Sequence, residues 1–87
     1  MKTSVYDTYV QRPHGRQMHF DILVPSDLQD IETVLGFGRT YLAAKGLPQE
    51  ILKTEKCNYC HMESATASVE HDIATHGFSI LEMENCG

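Results

Sequence analysis

"MHFDILVP", residues Met18 to Pro25, is the stretch that decides the fold. Met18, Phe20, Ile22 and Val24 alternate with His19, Asp21 and Leu23. A period of two is the mark of a strand with one buried face, whereas a helix would bring its apolar residues round every 3.6 positions. The even-numbered side is therefore expected to face the core.

Working toward the N-terminus, "RPHGR" (Arg12 to Arg16) places Pro13 and Gly15 where a turn needs one fixed and one permissive backbone angle. Ser4 to Val10, rich in Val, Tyr and Thr, supplies the partner strand of a hairpin. If Val10 pairs with Met18, Asp7 falls opposite Asp21 on the same face as His19, and Tyr9 falls opposite His19. Asp7, His19 and Asp21 then form a polar cluster able to hold a cation, the plainer alternative being a solvated face with one His–Asp pair. A slip of one residue would scatter the three across both faces.

Toward the C-terminus, Ser26 and Gln29 have the spacing of a capping box and predict a helix beginning there. Leu28, Ile31, Leu35 and Leu42, with Val34 and Tyr41, give it an apolar stripe. Gly46 is placed to end it in a left-handed cap, with Leu47 folding back on Leu42 and Pro48 preventing continuation. Gly36 and Gly38 each cost about 1 kcal/mol relative to Ala in a helix, which suggests a close approach to the sheet. Residues 49–56 are ambiguous and are read as a strand running into the cysteine motif. A second helix is predicted over Thr66 to His76, with Val69 and Ile73 inward and Gly77 as its cap, followed by a strand from Phe78 to Glu84.

The expected architecture is one α+β domain over residues 1–87, in the order β-β-α-β-α-β. It should have a mainly antiparallel sheet of three or four strands, with both helices on one face. A chain of 87 residues buries roughly 60–65% of its unfolded surface, enough for one modest core.

Seven Lys and Arg face twelve Asp and Glu, a formal net charge of -5, and no basic stripe interrupts it. That sign disfavours nucleic acid and anionic membrane surfaces as partners, leaving another protein or a second copy. No apolar run has the length of a signal core or a membrane span, so a cytoplasmic location is expected. Three cysteines, an odd number, argue against a disulfide framework and leave metal binding, thiol chemistry or burial.

"CNYCH" (Cys57 to His61) carries the chemistry of the chain's middle. Haem attachment fits the pattern but requires assembly outside the cytosol. Dithiol exchange needs the first Cys at a helix N-terminus early in a thioredoxin-like fold, and only 27 residues follow Cys60. Zinc suits the two-residue gap between Cys57 and Cys60, with the remaining ligands drawn from His61, His71, His76 and Cys86. Two core thiols beside an ordinary histidine complete the set. No G-x-S-x-G elbow, P-loop or Rossmann glycine pattern is present, and no catalytic residue is assigned.

Taken together, "VYDTYV" (Val5 to Val10), "MHFDILVP", "CNYCH" and "ILEMENC" (Ile80 to Cys86) resemble the small bacterial family known as domain of unknown function 2024 (DUF2024). The resemblance covers nearly the whole chain and implies a short standalone α+β domain without an assigned activity. The family pattern includes the segments that hold Asp7, His19, Asp21, Cys57, Cys60 and His61, and gives none of them a role. The expected function is a binding or interaction module, stabilised by metal at Cys57, Cys60, His61 and Cys86. The alternative is a thiol-dependent redox enzyme with Cys57 as nucleophile and Cys60 as resolving thiol.

Overall fold

A computed structural model describes all residues 1–87. Strand β1 (Lys2–Gln11) and strand β2 (Gln17–Pro25) form the hairpin, followed by helix α1 (Ile31–Ala44), strand β3 (Cys57–Ser64), helix α2 (Ala67–His76) and strand β4 (Ser79–Glu84). The four strands make one sheet in the order β3-β1-β2-β4, with every neighbouring pair antiparallel. The class and element order are those expected from the sequence.

The hairpin register is also the expected one, with Val10 opposite Met18, Tyr9 opposite His19 and Asp7 opposite Asp21. Met18, Phe20, Ile22 and Val24 are fully buried and join Tyr6 and Val10 beneath α1, whose Val34, Leu35 and Leu42 close the core. Each such side chain contributes roughly 1.5–3 kcal/mol through burial.

Helix α1 begins later than the capping box at Ser26 predicts. The Ser26 amide is taken by the Lys2 carbonyl in the hairpin, which ties Ser26 to the turn at the end of β2. The cap is Asp30, whose side chain accepts from the Glu32 amide and from the Thr33 hydroxyl. Its C-terminus follows expectation: Gly46 adopts φ +75°, and the Leu47 amide bonds back to the Leu42 carbonyl. Gly38 marks the anticipated close approach, since a Cβ there would lie 2.7 Å from Leu52 Cδ2 and 3.1 Å from Ile22 Cδ1. Gly36 has open space around it.

Residues 49–56 form two single 3-10 turns, Gln49–Ile51 and Thr54–Lys56, in place of the strand predicted there. Between the turns Leu52 drops into the core beneath Gly38. That inward anchor ends any extended run before Cys57.

The helices do not share one face as predicted. Strands β3 and β4 are the two edges of the sheet, so α2 must cross its whole width. Ten residues of helix span about 15 Å, which matches three strand spacings of about 4.8 Å. Asp72 of α2 accepts a 2.7 Å hydrogen bond from Ser79, which pairs with Leu23 on the odd-numbered face. Val5 and Leu23, buried on that face, lie outside the cluster beneath α1. So α1 covers the even face, and α2 covers one end of the odd face. The other end, holding Asp7, Tyr9, His19 and Asp21, stays free of helix.

Candidate metal centre

Alternation along β1 and β2 delivers Asp7, His19 and Asp21 to the same side of the sheet. Asp7 and Asp21 are direct cross-strand partners, and His19 stands one pleat further along β2. Tyr9, opposite His19, stacks on its imidazole with centroids 4.2 Å apart and planes 13° from parallel. This fixes the ring so that Nε2 points back toward the carboxylates. It lies 3.5 Å from Asp21 Oδ1 and 3.6 Å from Asp7 Oδ1.

These distances are long for hydrogen bonds. His19 Nε2 and Asp21 Oδ1 are buried atoms without a hydrogen-bond partner, and Asp21 is only 8% exposed. Buried polar atoms are satisfied in the great majority of cases, so a converging pair without partners asks for an explanation. Ligand atoms of Asp7, His19 and Asp21 all lie within 4.8 Å of one another, and this is the group of three that could hold a metal ion.

The electrostatics agree. Burial, reinforced by the neighbouring Asp7 carboxylate, pushes Asp21 up to about 6. A hydrogen bond from Asp21 holds Asp7 below its ordinary value. The two carboxyls therefore titrate as a pair, with one proton held between them at pH values where an isolated carboxyl has lost its own.

The cysteine motif is divided by the sheet. Cys57 pairs with Thr8 on the even face, is 3% exposed, and accepts a hydrogen bond from the Thr8 hydroxyl. Burial pushes its thiol up. Cys86 is likewise part of the core beneath α1, its thiol donating to the His19 carbonyl on β2. Cys60 is exposed on the odd face. The structure thus does not gather Cys57, Cys60, His61 and Cys86 at one point, and His71 and His76 lie exposed on α2.

An irregularity in the β1–β3 ladder lies at Cys60. Val5 pairs with His61 and Tyr6 with Tyr59, so Cys60 is the extra residue of a bulge. The bulge turns His61 to the face on which Cys60 already lies, the face that carries Asp7. Partial desolvation, together with the Asp7 and Asp21 carboxylates, pushes the Cys60 thiol up. His61 Nδ1 lies 3.2 Å from Cys60 Sγ, and His61 Nε2 lies 2.7 Å from Glu63 Oε1.

Sequence reasoning brought Asp7, His19 and Asp21 together but kept Cys60 in a separate constellation and missed Glu63. The pairing of β3 with β1 joins the two groups, and the bulge that brings His61 and Glu63 to the same side as Asp7 is announced by no residue spacing. The alternation of His61 and Glu63 on one strand was the available signal for their contact.

Residues 1–83 match the family model DUF2024, described as a domain of unknown function. Along its whole length, and over 100% of both chains, the chain is similar to a protein from Nitrosomonas europaea, NE1680. The solved structure is an NMR structure determined as a structural genomics target, with 33% sequence identity and a TM-score of 0.82. Among curated proteins nothing matches. No helix is long and apolar enough to cross a membrane.

Proposed function

Because the chain belongs to the DUF2024 family, whose description assigns no activity, we propose a function from the site itself: a small binding module that holds a divalent cation between Asp7, His19 and Asp21. The observation that carries this is the convergence of two buried atoms without partners, His19 Nε2 and Asp21 Oδ1, on one point beside the Asp7 carboxylate. One imidazole and two carboxylates form a donor set that first-row divalent ions accept. Bound there, the ion replaces the shared proton and satisfies all three side chains.

Thiol exchange between Cys57 and Cys60 is the weaker proposal. The two sulfurs face opposite sides of the sheet, and Cys57 is buried away from any substrate.

The test is thermal unfolding of tag-free, chelator-treated protein with Zn2+, Mn2+, Mg2+ or Ca2+ added in turn. An ion at about a hundred times its Kd stabilises the folded state by about 2.7 kcal/mol. For a domain of this size that is a rise of roughly 10–20 °C. Asp21→Asn and His19→Ala should each abolish the rise while remaining folded. No rise with any ion, or an equal rise in Asp21→Asn, would overturn the proposal.

A further inference from the structure

We propose that Cys60 is a fourth protein ligand of this cation site, and that its thiolate makes the site select a borderline-soft ion such as Zn2+ over Mg2+ or Ca2+. The proposal rests on the cation reading of Asp7, His19 and Asp21 and adds the ion's identity to it.

The argument begins with position. Cys60 is the only cysteine on the odd face, which it reaches by alternation from Cys57, and the extra residue of the β1–β3 ladder between Val5 and Tyr6 turns the neighbouring His61 to that face as well. Bulges re-aim side chains and lie disproportionately beside functional sites. This one re-aims His61, and the Cys60 thiol beside it stands close enough to Asp7 for each group to shift the other's titration. Cys60 Sγ stands outside the mutual 4.8 Å set of Asp7, His19 and Asp21. Ligation therefore needs a rotation about its Cα–Cβ bond, which an exposed side chain makes freely among staggered positions.

Next comes the proton. A thiol becomes a ligand only on losing its hydrogen, and the chain supplies a route for it. Glu63 as a carboxylate can only accept, so its 2.7 Å contact places the imidazole hydrogen of His61 on Nε2. In that neutral tautomer Nδ1 is an acceptor, and it lies 3.2 Å from Cys60 Sγ. When the ion binds, the sulfur–metal bond forms, the S–H bond breaks, and the proton passes to His61 Nδ1 and on to solvent. Glu63 stabilises the imidazolium formed in between. No electrons are exchanged.

Charge supports the same outcome. Two carboxylates near the thiol disfavour a free thiolate, so an unliganded Cys60 is a poor nucleophile. A divalent ion between them reverses the local sign and favours the thiolate. One imidazole, one thiolate and two carboxylates give four ligands. Thiolate and imidazole donors suit zinc and its neighbours, while magnesium and calcium take oxygen alone.

The experiment uses Co2+ as a spectroscopic probe, added to the reduced full chain and to Cys60→Ser, Cys57→Ser and Asp21→Asn. Wild type should show visible d–d bands and a near-ultraviolet sulfur-to-cobalt charge-transfer band, both displaced by one equivalent of Zn2+. Cys60→Ser should keep the d–d bands, lose the charge-transfer band, and bind Co2+ at least about tenfold more weakly. It should also lose most of the preference for Zn2+ over Mg2+. Cys57→Ser, with unchanged circular dichroism, should retain both bands.

Visible bands without a charge-transfer band in wild type would overturn the Cys60 assignment and leave the three-residue site standing. A charge-transfer band that survives in Cys60→Ser would overturn it as well. Absence of all cobalt bands would overturn both this inference and the cation site on which it rests.

Discussion

Cys57 and Cys60, three residues apart on one strand, lie on opposite faces of the sheet: Cys57 is 3% exposed beneath α1, and Cys60 is open to solvent beside Asp7. A two-residue gap brings both thiols to one metal ion only where the backbone turns. On a strand, positions three apart alternate to opposite sides, and the pairing of residues 57–59 with β1 holds this segment extended.

Thiol accessibility should follow from that division. Alkylation of native, metal-free protein, read by mass spectrometry, is expected to label Cys60 first. Cys57 and Cys86 should react only on unfolding. Cys57→Ser, which leaves a buried hydroxyl in place of a small apolar thiol, should cost about 1–3 kcal/mol in denaturant unfolding. Cys60→Ser should stay within about 0.5 kcal/mol. Rapid labelling of Cys57 in the folded state would contradict its burial beneath α1.

The two helix glycines should respond in opposite directions. A methyl group at Gly38 meets Leu52 Cδ2 at 2.7 Å, so Gly38→Ala forces the core apart. Overpacking of this kind costs roughly 1–3 kcal/mol. Gly36→Ala meets nothing within 4 Å and should stabilise by about 0.4–1 kcal/mol through lower unfolded-state entropy. Urea denaturation of the two variants measures both effects, and equal shifts would mean that Gly38 does not approach the sheet.

Much of this fold was legible because its signals are local. The alternation of Met18, Phe20, Ile22 and Val24 set the strand, the buried face and the register that unites Asp7 with Asp21. Gly46 and Gly77 ended their helices where expected, both with positive φ. What was hidden depended on distant partners. Ser26 has the composition of a cap, but its amide belongs to Lys2 at the far end of the hairpin. The odd-face position of α2 follows from strand order, which places β3 and β4 at opposite edges. The pairing of β3 beside β1, and the bulge that turns His61 to the face of Asp7, exist only relative to β1, so the link from the cysteine motif to the hairpin cluster could not be read from either stretch alone.

The start of α1 gives a direct check on that difference. Asp30 accepts from the Glu32 amide and the Thr33 hydroxyl, so Asp30→Ala should lower stability by about 1 kcal/mol. Ser26→Ala should lie within about 0.5 kcal/mol of wild type, its side chain capping nothing. Thermal or urea unfolding decides the matter, and the reverse order would move the helix start back to Ser26.

The carboxyl pair predicts an unusual pH dependence for protein kept in chelator. Asp21 sits at about 6 in the folded chain, above its ordinary 3.8, so between those values the folded state holds a proton that the unfolded state has released. Stability from this group is complete below about pH 4 and is lost as pH rises to about 6. Asp7 is shifted the other way, and its contribution disappears as pH falls below 3.8. The groups facing the pair are His19 on β2 and Cys60 and His61 on β3. The contribution of Asp21 is isolated by difference against Asp21→Asn, whose amide keeps the hydrogen bond to Asp7 without titrating. Wild type should lose on the order of 2 kcal/mol relative to the variant between pH 4 and pH 6.5, measured by urea unfolding at each pH. Saturating Zn2+ should reverse that loss in wild type by taking the place of the departed proton, and should leave the variant unmoved. Parallel stability curves for the two proteins in chelator would show that Asp21 ionises freely and that no shared charge is held between β1 and β2.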